Sequence, residues 1–248
     1  MRVKGRMALT MLALVGLALV GGEAGAMSLE QLNLVDLLRH STSIITGKVM
    51  AVADGVDGTG LPYTEVTVAI EETMRGDESG TYTFRQFGLL KPRLSEDGTR
   101  MMLPAPDTFP RYGEGERVML FLYQAASETG LRTTTGLIQG KFSLEAGRAE
   151  NAMANEGLFA NLSVAPGLTG DNDERMLETE VGAVNPETFT SFVERAVAGQ
   201  WVETCLMWNT AEGKTCGRTP RKITDRDDST RTKVDRNPAP VITDINPR

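Results

Sequence analysis

The sequence predicts a mainly β fold: a small five-stranded antiparallel barrel with a helix before it, a helix after it and a polar C-terminal tail. Three stretches carry that expectation. In Leu61–Asp77 (LPYTEVTVAIEETMRGD), Thr64, Val66, Val68 and Ile70 share one face and Tyr63, Glu65, Thr67, Ala69 and Glu71 the other. That is the period-two pattern of a strand with one side on a core. Arg117–Tyr123 (RVMLFLY) is apolar on both faces, as a strand covered on both sides requires. Asn185-Pro186-Glu187, followed by Phe189, Phe192, Val193, Ala196 and Val197, gives a helix with an N-cap, a proline in its first turn and one apolar stripe, ending near Gly199.

Residues 1–26 have the form of an export signal: Arg2, Lys4 and Arg6, the apolar run Met7–Val20, then Ala24-Gly25-Ala26. The run is about 14 residues, short of the roughly 20 that span a bilayer. The expected mature chain starts at Met27, is periplasmic or extracellular, and contains no further apolar run long enough for a membrane span. Loss of Arg2, Lys4, Arg6 and Glu23 takes the formal net charge from −7 to −9. So acidic a chain disfavours nucleic acid, whose phosphates need clustered Lys and Arg.

Ser28 and Gln31 fit a capping box ahead of a stripe of Leu29, Leu32, Val35 and Leu38, predicting a helix to about Arg39. His40, the only histidine, falls where a cation complements a helix end, so it reads as a cap rather than a base. Ser43–Val52 is the first expected strand, with Gly47 marking a bend or a close backbone approach. Asp54 and Asp57 lie in a Gly-rich turn and read as turn formers, not calcium ligands. At Glu71-Glu72 the alternation of the second strand breaks, predicting a bulge that returns Met74 to the inner face. Thr81–Phe87 and Arg117–Tyr123 follow, and Leu131–Ile138 with Lys141–Leu144, bent at Gly140, completes the five. Between 146 and 183 the chain is polar. Asn161-Leu162-Ser163 matches a glycosylation acceptor, and Asp171, Asp173 and Glu174 read as a solvated loop.

The long segment Gly88–Gly115 contains Pro92, Pro104, Pro106 and Pro110 and places Met101, Met102, Leu103 and Phe109 among them. Adaptable Met and aromatic side chains in a long loop suit an apolar contact with a partner. Cys205 and Cys216, the only cysteines, read in an exported chain as a local disulfide around Trp208. From Arg218 onward there are eight Lys/Arg and five Asp with few apolar residues, the composition of a disordered linker. The expected organisation is therefore a signal (1–26), a barrel domain (27–200), a disulfide-closed extension (201–217) and a tail (218–248). With a single histidine, no G-x-S-x-G and no thiol outside the cysteine pair, no catalytic residue, metal or cofactor is assigned.

Ser43-Ile44-Ile45-Thr46-Gly47-Lys48-Val49, YTEVTVAIEETMRGD, GEGERVMLFLY and GLIQGKFSLE together resemble exported bacterial domains. More distantly they resemble the netrin-like fold of tissue inhibitors of metalloproteinases, an OB barrel. The resemblance covers residues 27–200 and implies an OB-like barrel and, by analogy of fold, a metalloprotease-inhibitor-like protein or protease-associated pro-domain. Those inhibitors set a free N-terminal Cys on the protease metal; here the expected start is Met27-Ser28 and no Cys precedes Cys205, so that residue is not carried over. Pro240–Pro247 (PVITDINP) resembles the opening of an IPT/TIG repeat and implies a larger secreted architecture. The expected function is an extracytoplasmic module that binds a protein partner without catalysis. The inhibitor-like reading and a carboxylate-dependent hydrolase are the alternatives. If the N-terminal segment is an export signal, intact-mass analysis of protein recovered outside the cytoplasm will give a chain beginning at Met27. Full-length chain retained in the cytoplasm would refute export.

Overall fold

The computed structural model describes residues 30–95, 98–102 and 104–212. The expected signal and tail, Leu103 and Cys216 lie outside the described residues. The main sheet has six antiparallel strands in the order β3 (Thr81–Phe87), β2 (Pro62–Arg75), β1 (Ser43–Val56), β6 (Arg117–Leu122), β7 (Lys141–Glu145) and β8 (Arg148–Asn151). Two short ladders lie outside it: β4 (Arg93–Leu94) with β5 (Met101–Met102), and β9 (Leu162–Val164) with β10 (Met207–Asn209).

β1 and β2 form the spine. Their turn is built by Asp57, whose Oδ1 accepts from Thr59 Oγ1 (2.6 Å), Thr59 N (2.8 Å) and Leu61 N (2.9 Å). These bonds, the Thr59 hydroxyl foremost, hold the Asp57 carboxyl below the usual carboxylate range. Val66 and Val68 are fully buried, as the alternation requires. Register passes from Thr46↔Glu72 to Gly47↔Ile70 and leaves Glu71 over, which is the expected bulge. Met74, however, packs on the helical core rather than returning to the face of Val66 and Val68, because the bulge reverses the alternation beyond it. Further shifts leave out Met74 on β2 and Met50 on β1, and each one increases the local twist. Gly47 is at a close approach: a Cβ there would run into the Ala69 carbonyl oxygen.

The sheet buries both faces. On one, Ile44, Met119, Phe121, Phe142 and Leu144 meet helices α1 (Leu34–His40) and α3 (Pro186–Ala198). Phe142 sits between Phe121 and Phe189, with ring centroids 5.7 Å and 4.8 Å away. α3 starts as expected, with Asn185 Oδ1 accepting from Thr188 N. α1 starts later than the Ser28 reading. Its N-cap is Asn33, which accepts from Asp36 N (3.1 Å) while Asp36 accepts from Asn33 N (3.3 Å). The residues just before it cannot join the helix because Gln139 holds them, accepting from Leu32 N and donating to Glu30 O (both 2.8 Å). The acidic cluster expected to be a loop is instead the first turn of α2 (Asp171–Leu177). There Asp173 caps Gly170 N (2.8 Å) and pairs with Arg195 on α3 (2.7 Å). Carboxylates in a first turn complement the helix dipole, a pattern that composition alone does not separate from a solvated loop.

The other face is the concave interior, filled by Ile45, Val49, Val66, Val68, Phe84, Tyr112, Val118, Leu120 and Leu122. The expected closed five-stranded barrel is not formed: β3 and β8 are the two edges and do not pair. The reason lies in Leu131–Ile138, which is not a strand. It makes a single bridge, Leu122↔Thr134, and then a 3-10 turn over Leu137–Gly140. Thr134 Oγ1 bonds locally to Leu137 O (2.6 Å), competing with a ladder, and Thr135 Oγ1 is held by the distant Ser41 Oγ (2.8 Å). Arg132 spans the gap instead. Its N donates to Arg85 O on β3 (2.7 Å), its Nε to Tyr123 O beyond β6 (2.6 Å), and its Nη1 to Glu78 Oε1 and Tyr82 Oη (2.6 Å each). Both side chains of the Arg132–Glu78 pair are 11% exposed. Burial works against ionisation of Glu78, but the Ser43 hydroxyl and the Arg132 guanidinium outweigh it and hold its carboxyl below the usual glutamate range.

Two predictions follow from this packing. Val68→Asp buries an unpaired carboxylate and is expected to cost several kcal/mol of a typical 5–15. Thr67→Asp, on the half-buried face, should cost far less; indistinguishable urea melts would show the register to be wrong. Arg132→Met leaves Glu78 alone and should destabilise by about 3–5 kcal/mol at neutral pH. The pH dependence fixes the sign. In the native protein Glu78 has a lowered folded pKa, so its contribution is present above the unfolded value of about 4.3 and is lost as pH falls through the lower folded value. In Arg132→Met the Glu78 carboxyl loses one of the two groups that outweigh its burial, so its folded pKa rises and the gap between the two proteins should narrow as pH falls from 7 toward about 4.3. A gap independent of pH would show that Glu78 and Arg132 are not energetically coupled.

Candidate interaction surface

β3 ends at Phe87, and Gly88, at φ +100°, turns the chain out of the sheet. A Cβ at Gly88 would strike Ala105, so the two limbs of the excursion touch at its base. Leu89, fully buried, bridges Pro104, and Ala105 N donates to Leu89 O (2.9 Å). Beyond this neck the limbs pair as β4 and β5, Arg93↔Met102 and Leu94↔Met101. A two-residue ladder is not stable by itself; Asp54 on β1 anchors it. Its Oδ2 accepts from Leu90 N (2.9 Å) and its Oδ1 from Arg93 Nη2 (2.5 Å). Asp54 therefore holds the hairpin rather than forming the turn.

The hairpin turns apolar side chains to solvent. Leu94 is 57% exposed and its cross-strand neighbour Met101 59%. Beside them a cleft of about 920 Å³ opens between the hairpin and the Gly55–Gly60 turn, lined by Val56, Asp57, Arg93, Ser95, Arg100 and Met102. Of the expected contact residues, Met101 and Met102 therefore lie together with Leu94, and Leu103 lies outside the described residues. Phe109 is elsewhere, against Phe87 at a centroid distance of 6.2 Å. Leu94, Arg93, Arg100 and Phe87 escaped the sequence reading. The signal for the first three was the Ser95–Arg100 turn, where Gly98 N donates to Ser95 O and Ser95 N to Arg100 O (2.8 Å each).

The other polar groups singled out by the sequence lie elsewhere, and Ser41 rather than His40 is the C-cap of α1, its N and Oγ donating to Leu37 O. His40 is exposed in the last turn of α1. Asp36, its carboxyl raised above the usual range chiefly by burial, caps α1 and meets Arg39 at 3.2 Å. Tyr112 is buried with its hydroxyl unpartnered, and burial drives its ionisation far above the ordinary tyrosine range. Asn161 is exposed just before β9. Trp208, expected in a disulfide-held loop, lies instead in β10 opposite Ser163; Cys205 is buried, and its expected partner Cys216 lies outside the described residues. Among the described residues, no group of three or more His, Cys, Asp and Glu is arranged to hold a metal ion, and no helix is long and apolar enough to cross a membrane. No family model matches the chain, and no curated protein or solved structure matches it either.

Proposed function

We propose that the chain is an exported interaction module that binds a protein partner through the β4–β5 hairpin. The observation that carries this reading is the Leu94–Met101 pair, held in solvent on a hairpin tied down by Asp54. Large apolar side chains on a braced support lose little conformational entropy on binding. Arg100 at the adjoining cleft, beside an Arg93 already paired with Asp54, favours a partner segment that carries an acidic residue beside its apolar anchor. The N-terminal signal supports a place outside the cytoplasm, and a Cys205–Cys216 disulfide suits that compartment. The inhibitor-like alternative rests on fold analogy alone.

A photoreactive amino acid at Met101 is expected to give a discrete protein adduct in the exported fraction, and one at Thr83 on the β3 edge is not. Leu94→Ser with Met101→Ser should remove capture of that protein by at least about tenfold while leaving stability within about 0.5 kcal/mol, as exposed substitutions do. Equal adducts at both positions, or capture unaffected by the double substitution, would refute the reading.

A further inference from the structure

A second concavity lies on the face of β7 and β8 turned away from the helices. Phe142, Leu144 and Ala149 belong to the helical core. Strand alternation therefore points Lys141, Ser143 and Glu150 to the opposite side, with Ser143 directly across from Glu150 in the ladder. The segment Asp107–Arg111 crosses this side and leaves a groove of about 420 Å³, a volume within the roughly 300–1,000 Å³ that small ligands occupy. The crossing segment is braced on both sides. Ile138 N donates to Thr108 O (3.2 Å), Gln86 Nε2 to Pro110 O (2.9 Å), and Phe109 packs on Phe87.

The lining is amphipathic and carries both charges. Phe109, Pro110 and Ile138 are apolar, while Lys141 and Glu150 stand on the ribbon with Ser143 between them. Each charge is already paired, Lys141 with Glu116 and Glu150 with Arg148, so the groove as a whole offers no net field to a simple anion or cation. Each keeps capacity for another bond. The Lys141 ammonium has three protons and gives one to Glu116. Glu150 meets Arg148 through one oxygen, and Arg148 is 61% exposed, so that pair exchanges at little cost. The Ser143 hydroxyl has no hydrogen-bond partner among the described residues.

We infer that this groove is a binding site for a small zwitterion with an apolar side chain, of the class of a free aliphatic α-amino acid. Residues two apart on one strand face stand roughly 6.7 Å apart, and cross-strand neighbours about 5 Å. One carboxylate can therefore take bonds from Lys141 Nζ and Ser143 Oγ while an adjacent ammonium donates to Glu150. The side chain then lies on Phe109, Pro110 and Ile138. A ligand with one charge would leave Lys141 or Glu150 unused, and one without a side chain would leave the apolar wall wet. The site is separate from the β4–β5 hairpin and does not rest on the partner reading.

The test is calorimetric and NMR titration of the purified full chain with L-leucine up to about 10 mM, the range in which weak small-ligand sites saturate. Saturable binding is expected, with amide shifts centred on residues 107–111, 138–143 and 150–152. N-acetyl-L-leucine, lacking the ammonium, L-leucinamide, lacking the carboxylate, and glycine, lacking the side chain, should each bind at least about tenfold more weakly. Glu150→Gln and Ser143→Ala, both at accessible positions, should each weaken leucine by about fivefold or more with unchanged thermal melts. Absence of saturable binding, equal affinity for the capped forms, shifts centred elsewhere, or variants that bind as well as the native chain would each overturn the inference.

Discussion

One guanidinium joins the β3 edge of the sheet to the end of β6. Bulges at Met50, Glu71 and Met74 twist β1 and β2 enough to bend β3 round toward β6, but no strand lies between them to complete the circle. Arg132 takes that place. Its forked donors reach Glu78 and Tyr82 on the β3 side and Tyr123 O and Thr42 on the other. Arg suits this position because its planar fork is pre-organised for several acceptors, whereas a Lys ammonium would act as a point charge on a flexible stem. A buried ion pair is weak grounds for stability against an apolar replacement. Its contribution here is one of specificity: it fixes how β3 meets the end of β6, where the backbone bonds run from Arg132 N to Arg85 O, from Tyr123 N to Thr133 O and from Thr135 N to Phe121 O.

That closure decides where the rest of the chain can go. With the concave interior filled and the opposite face covered by α1 and α3, the segment after β3 has no core left to enter and must cross the end of the sheet. Among the described residues it is buried at its base, at Leu89, and at its return, at Ala105, Pro110 and Tyr112. Between Leu89 and Ala105 it projects as the β4–β5 hairpin, and between Ala105 and Tyr112 it crosses beneath β7 and β8. Both concavities described above arise from this single excursion. Asp54 braces the first, and the Thr108 and Pro110 carbonyls brace the second.

Much of this was legible in the residues, and the part that was not has a physical reason. Val66 and Val68, the Glu71 bulge, the Asn185 cap and the Asp57 turn are all fixed by short-range rules, namely alternation, capping and Asx chemistry. The start of α1 was misread because Gln139, more than a hundred residues away, holds the residues around Leu32. The fifth strand was misread because the β-branched content of Leu131–Ile138 suits a strand equally well until the Thr134 hydroxyl bonds back to Leu137 O and that of Thr135 meets Ser41, 94 residues away. On the candidate surface, the Met pair was visible as composition. Leu94 was not, since its exposure depends on pairing with Met101 across a turn that carries no alternation. Asp54 looked like a turn residue, and its grip on Leu90 and Arg93 is a long-range fact.

Charge along the chain bears on how such a surface would be approached. Residues 149–212 hold eleven Asp and Glu against Arg175 and Arg195, so the helical layer presents a strongly negative field. The excursion 88–111 differs: Lys91, Arg93, Arg100 and Arg111 stand against Glu96, Asp97 and Asp107. In an acidic protein, a near-neutral to positive region that also displays apolar side chains is where an acidic partner meets the least repulsion. Uneven charge of this kind acts on encounter and orientation more than on final affinity. In the proposed complex the apolar pair would supply the contact, and the acidic layer would disfavour an acidic partner elsewhere on the molecule. A protein that must stay soluble while exposing Leu94 and Met101 gains from both effects, because net charge opposes self-association through the same patch.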